Sequence, residues 1–199
     1  MNRLVRHVAL WACCASALAQ TSAAPTQRIR AVVDTLDGTS ITVVDRSGPM
    51  RLALADNLVV NEVAPIDFSA ISKGSYIGAA GLPQPDGTIR ALEVLVFPES
   101  ARGTNEGHSP WDLLPSSTMT NATVADMVTS AQGRTLTLKY KGGEKKLVVP
   151  ENTPVVTLKP ADRSLLMTGA KVIVTIQSRD GAPVATRVLA GRNGFTPPM

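Results

Sequence analysis

Apolar and polar residues alternate along most of this chain, and the alternation comes in short runs. Over residues 39–45, Ile41 and Val43 share one face while threonine or charge occupies the other; over 135–141, Leu136, Leu138 and Tyr140 do the same. A period of two is the mark of a half-buried β-strand. Asp37-Gly38 and Gln132-Gly133 are tight-turn pairs that join each run to an earlier strand, at 29–36 and 124–130. Residues 50–55 and 146–149 predict third strands. Residues 67–71 and 162–166 predict single helical turns, each opened by an Asp cap and stopped by Gly74 or Gly169. A closing hairpin turns at Asp86-Gly87, and another at Asp180-Gly181.

Written this way, the chain repeats itself. Shifted by 95 residues, Gly38 falls on Gly133, Gly48 on Gly143, Gly74 on Gly169, Asn57 on Asn152 and Pro65 on Pro160. One residue drops out before the last turn, where Asp86-Gly87 meets Asp180-Gly181. Such self-similarity reads as two copies of one domain, at 28–97 and 121–191, with a connecting segment at 98–120 and a tail at 192–199. Three strands, a short helical element and two strands is the order of an OB-type barrel. The expected fold is all-β: two tandem OB-like barrels of five to six strands each, linked by a Pro/Gly-rich segment. A small sandwich with the same strand count is the alternative.

Residues 1–19 have the three parts of a secretory signal peptide. Arg3 and Arg6 supply the positive start, 8–18 the apolar stretch, and Ala17-Leu18-Ala19 the small residues before a cleavage site. Cys13 and Cys14 raise lipidation as a competing reading, but Leu10-Trp11-Ala12 puts a bulky ring where small residues are needed. Export to the periplasm, with cleavage after Ala19, is the expectation. The remaining chain has 18 basic and 16 acidic residues, no Cys, one His (His108) and one Trp (Trp111). It offers no thiolates for structural zinc and no two imidazoles to share a metal, so no metal site is assigned and no cofactor is expected. It also lacks the roughly 20-residue apolar run of a membrane-spanning helix.

Charge divides the copies. Residues 28–97 carry net −2, 98–120 net −2 and 121–199 net +6. Lys139, Lys141, Lys145 and Lys146 cluster on the second and third strands of the second copy, where OB barrels usually present their ligand face. They are candidates for an anionic ligand or an envelope protein, unless the basic copy simply packs against the acidic one. Nucleic acid is the weaker version, because Tyr140 alone is at hand for stacking.

The connecting segment reads PESARGTNEGHSPWDLLPSSTMT. Its prolines, glycines and hydroxyls suggest a flexible linker, yet Trp111, Leu113 and Leu114 suggest an anchor against the barrels. A sharper reading brings Glu106, His108 and Asp112 together on a loosely held divalent cation or ligand. Ser109 beside His108 and Asp112 supplies the residue types of a hydrolytic triad. However, there is no G-x-S-x-G elbow, no phosphate loop and no spacing that singles out a carboxylate pair.

Leu36-Asp37-Gly38-Thr39, Ile71-Ser72-Lys73-Gly74 and Asp86-Gly87-Thr88-Ile89-Arg90-Ala91 resemble the layout of a bacterial exported domain family of unknown function that is regarded as OB-like. The second copy departs from it at Ala182-Pro183-Val184. The whole chain is similar to two-copy proteobacterial members that share a segment like 102–124. The resemblance implies an OB-like fold and brings no activity. Some relatives carry a metal-transport permease label, which does not suit a chain without a membrane span. Together these readings predict an exported, non-enzymatic binding or interaction protein of unknown ligand. A metal-handling accessory protein and a hydrolase are the alternatives.

Overall fold

The computed structural model describes residues 26–130 and 133–199. The leader with its cleavage site, and Gln132 of the second turn pair, lie outside the described residues. The elements are β1 (Thr26–Asp37), β2 (Ser40–Asp45), β3 (Gly48–Pro65), β4 (Tyr76–Pro83), β5 (Ile89–Val96), β6 (Gly107–Pro110), β7 (Thr118–Ser130), β8 (Gly133–Tyr140), β9 (Gly143–Val149), β10 (Val155–Ala161), β11 (Lys171–Arg179) and β12 (Ala182–Gly191). Three 3-10 turns, at Phe68–Ala70, Glu99–Ala101 and Arg163–Leu165, are the only helical elements among the described residues. As the sequence predicts, Asp67 and Asp162 cap two of these turns by accepting from the backbone N–H of Ser69 and Ser164. Gly74 and Gly169 end both excursions in left-handed backbone, at φ +91° and +85°.

The all-β expectation holds; the division into two barrels of consecutive sequence does not. β1, β2 and β3 of the first copy close with β11 and β12 of the second, and a parallel β3–β12 pairing completes a five-stranded barrel. β4 and β5 of the first copy join β7, β8 and β9 of the second, in a circuit completed by the parallel pairs Ile89↔Leu147 and Arg90↔Val148. The two copies have therefore exchanged their closing hairpins, and 28–97 and 121–191 each contribute to both lobes.

The cause lies in β3. Expected to stop near residue 55, it runs for 18 residues, a span of about 60 Å at strand rise. Between Met50 and Ala64 there is no Gly or Pro to reverse the chain. Its second half, rich in valine, instead crosses to the neighbouring lobe and pairs antiparallel with β10. Each copy's capped 3-10 turn travels with its exchanged hairpin. Accordingly, Ile71 packs in the second lobe beside Leu136 and Leu147, and Leu165 and Leu166 pack in the first beside Ile41 and Leu52.

The registers show how closely the lobes match. Ile29↔Val174 in one lobe corresponds to Thr120↔Ala79 in the other, and Val60↔Val188 to Val155↔Val94. The pair Val63↔Leu158 is its own counterpart and marks the centre of this internal two-fold. The correspondence needs an offset of 91 residues for the first strand and 95 for the second and third. The four extra residues lengthen the β7–β8 hairpin, which pairs through Ser130↔Gly133. Around the centre, Val63, Leu95, Val156 and Ile173 form a third apolar cluster that joins the lobes.

Candidate functional site

The side chains that leave the two lobes toward each other define the site. On β1, Ile29, Ala31 and Val33 enter the first core, so Arg28 and Arg30 must project to the other side. On β11, Val172 and Val174 enter that core while Ile173 joins the inter-lobe cluster. On β5, Val94 enters the second core, and Glu93 and Leu95 point between the lobes. A cavity of about 520 Å³ lies here. Its lining includes both Leu95 and Leu189, which correspond under the repeat, so it straddles the internal two-fold. Leu158, Ile173 and Met199 add apolar wall; Arg28, Arg187, Asn121 and Thr175 add polar groups. No Asp or Glu side chain is part of the lining.

The connecting segment closes one side, and it is not a free linker. β6 pairs with the start of β7, from Gly107↔Asn121 to Pro110↔Thr118. Buried Asn121 donates from Nδ2 to the carbonyls of Thr104 and Asn105, and the Tyr76 hydroxyl donates to the same Thr104 carbonyl at 3.0 Å. The Trp111 backbone is fixed through Ser117, whose hydroxyl donates to the Trp111 carbonyl. The Arg28 guanidinium lies 3.8 Å above the indole ring, a cation–π contact worth about 0.5–2 kcal/mol. Asp112 accepts from Arg28 Nη1 at 3.1 Å and from Arg30 Nη2 at 3.0 Å. Burial lowers the Arg28 pKa and Asp112 opposes the shift. Through these contacts Trp111 and Asp112 tie the segment to β1. The indole Nε1 remains buried with no hydrogen-bond partner.

The structure does not bring Glu106, His108 and Asp112 together. Glu106 Oε1 accepts from the Lys141 backbone N–H, Asp112 faces the two arginines, and His108 Nδ1 lies 2.8 Å from Thr120 Oγ1. Burial and the nearby Lys145 charge hold His108 below the ordinary imidazole pKa. Among the described residues, no three His, Cys, Asp or Glu side chains are grouped to hold a metal. Ser109 lines the cavity, whereas its neighbour His108 stacks with Tyr140 at 6.5 Å between ring centres. No hydrogen bond joins Ser109 to His108 or Asp112.

The four lysines are also divided. Lys139 and Lys146 share the outer sheet face, with Glu144 3.8 Å from the Lys139 ammonium. Lys145 alternates to the face of Leu147 and Val149, and Lys141 sits in the turn.

Sequence reasoning missed Arg28, Arg187, Asn121 and Glu93. A signal existed for the last: Glu93 interrupts the apolar run 91–97, and the repeat makes it the counterpart of Arg187. Its carboxylate is fully buried and unpartnered, and burial raises its pKa to about 8. Comparison with protein-family models, curated proteins and solved structures gives no match.

Proposed function

We propose that the protein is an exported, non-enzymatic binding module that holds a small ligand between two hairpin-exchanged OB-like lobes. The cavity astride the internal two-fold carries this reading, because its volume lies within the range of ordinary small-molecule sites, about 300–1,000 Å³. Its lining combines apolar wall from leucine, isoleucine, methionine and aromatic side chains with hydroxyl, amide and guanidinium groups that can orient a ligand. The strand circuit β1–β2–β3–β12–β11, with a 3-10 turn ahead of β11 in the chain, supports the OB-like reading.

The test is thermal unfolding with 1-decanol, decanoate and decyltrimethylammonium, on wild type and on Thr175→Trp, which fills the cavity from its wall. A ligand at one hundred times its Kd stabilises by about 2.7 kcal/mol. The melting temperature should rise for at least one probe in wild type and stay fixed in Thr175→Trp. No shift with any probe, or equal shifts in both proteins, overturns the reading.

The leader carries the proposed export. No helix among the described residues is long and apolar enough to cross a membrane, and residues 1–19 meet the requirements of a cleaved signal. Deleting residues 1–19 should leave the protein in the cytoplasmic fraction. Unchanged recovery from the periplasm would refute export by this segment.

A further inference from the structure

The charged side chains that line the cavity have one sign. Arg187 stands at its solvent-facing mouth, and its guanidinium makes no hydrogen bond or ion pair with any described residue. The Trp111 Nε1–H is buried and unpartnered. Arg28 gives only Nη1 to Asp112, which leaves other N–H groups over the indole. Guanidinium and indole donate only; neither can accept. The other polar lining groups are neutral: Thr186 Oγ1 donates to the Thr175 carbonyl, and Asn121 Nδ2 donates to the 104–105 backbone. Asp112 answers Arg28, and the Met199 main-chain oxygen accepts from Arg30 Nε at 2.7 Å; with no Asp or Glu side chain in the lining, Arg187 has no counter-charge among the described residues.

The internal two-fold shows that this polarity is local. The positions equivalent to Arg28 and Arg187 are Met119 and Glu93, so the second lobe places a thioether and a buried acid where the first places cations. Only one end of the cavity is therefore basic. Leu95, Leu158, Ile173, Leu189 and Met199 add apolar surface among otherwise neutral lining groups.

Resting on the cavity reading, we infer that the ligand is an amphiphilic anion, with its headgroup held by Arg187 and Arg28 and its apolar body lying along the inter-lobe leucines. The shared headgroup chemistry is a compact set of anionic oxygens, either a carboxylate or a phosphate monoester, because both accept from a guanidinium fork. Hydrogen bonds to charged groups are roughly twice as strong as neutral ones, so the headgroup charge should govern affinity.

Calorimetric titration with decanoate, decyl phosphate, 1-decanol and decyltrimethylammonium tests this. At least one anion should bind tenfold or more tightly than decanol, and the cation should bind weakest. Which anion is tighter distinguishes carboxylate from phosphate. Arg187→Gln should lower anion affinity to the level of decanol and leave decanol unchanged. The variant is checked for wild-type melting temperature without ligand. Binding of decanol as tight as that of the anions, or anion binding insensitive to Arg187→Gln, overturns the inference while leaving the cavity reading intact. Binding of no probe at all removes both.

Discussion

Produced separately, residues 20–103 and 104–199 should each fail to form a folded monomer, and mixing them should yield a one-to-one complex that melts cooperatively. The expectation follows from the exchange of hairpins. The first fragment holds β1–β3 of one lobe and β4–β5 of the other, so each incomplete sheet presents unpaired edges and an open core. To rescue itself, a fragment would have to fold β3 back near residue 56 and pair β4 with β1. That reversal would unpair Val60 and Val63 from β10 and β12 and expose Leu95, which is now buried against the second copy. A domain of this size is already marginal in the surface it can bury, and open edges favour self-association. Gel filtration and circular dichroism of each fragment, alone and mixed, decide the matter. A fragment that is monomeric, sheet-rich and stable near the full chain's melting temperature would show that the copies close on themselves.

The same exchange explains what could be read from the sequence and what could not. Individual strands were legible because each needs only local alternation: Ile41 and Val43, or Leu136 and Leu138, declare their buried face without reference to a partner. The capped turns at Asp67 and Asp162 were legible for the same reason. Which hairpin closes which barrel depends on whether a connection bends or runs straight. In β3 that choice rests on the absence of a Gly or Pro, a weak signal beside the strong one of the repeat itself. The offset of the first strand went wrong at Gly133, whose match to Gly38 holds for β8 but not for the strand before it.

The site was less legible still. His108 and Trp111 drew notice by being single, and Trp111 does line the cavity. Arg28, Arg187 and Asn121 sit in three distant stretches of chain, and only the exchanged topology brings them to one wall. The lysines of β8 and β9 formed a cluster in sequence that strand alternation then splits between faces.

Glu93 gives the second large expected effect. Its carboxyl is fully buried without a hydrogen-bond partner; burial raises its pKa from 4.5 to about 8, and the Arg30 charge only partly opposes this. Below pH 4.5 the carboxyl is protonated in both folded and unfolded chains, and the folded state carries no ionisation penalty. Between pH 4.5 and 8 the unfolded chain releases a proton that the folded chain keeps, so stability falls as pH rises through this window. At 1.36 kcal/mol per unit of pKa difference, the loss across the window is on the order of 3–5 kcal/mol. Urea melts of wild type should therefore show a clear drop in stability from pH 4.5 to pH 8. Glu93→Gln, which keeps the shape and the neutral state, should match wild type at pH 4.5 and exceed it at pH 8 by most of that difference. Glu93→Met should exceed it throughout, because the orphaned oxygens are gone as well. Parallel pH profiles for wild type and Glu93→Gln would mean that water or a shifted Arg30 satisfies the carboxylate in solution. Arg187 occupies the equivalent position in the first lobe, at the mouth of the cavity. An ionisable residue thus stands at this register in both copies, buried and destabilising in one and available to a ligand in the other.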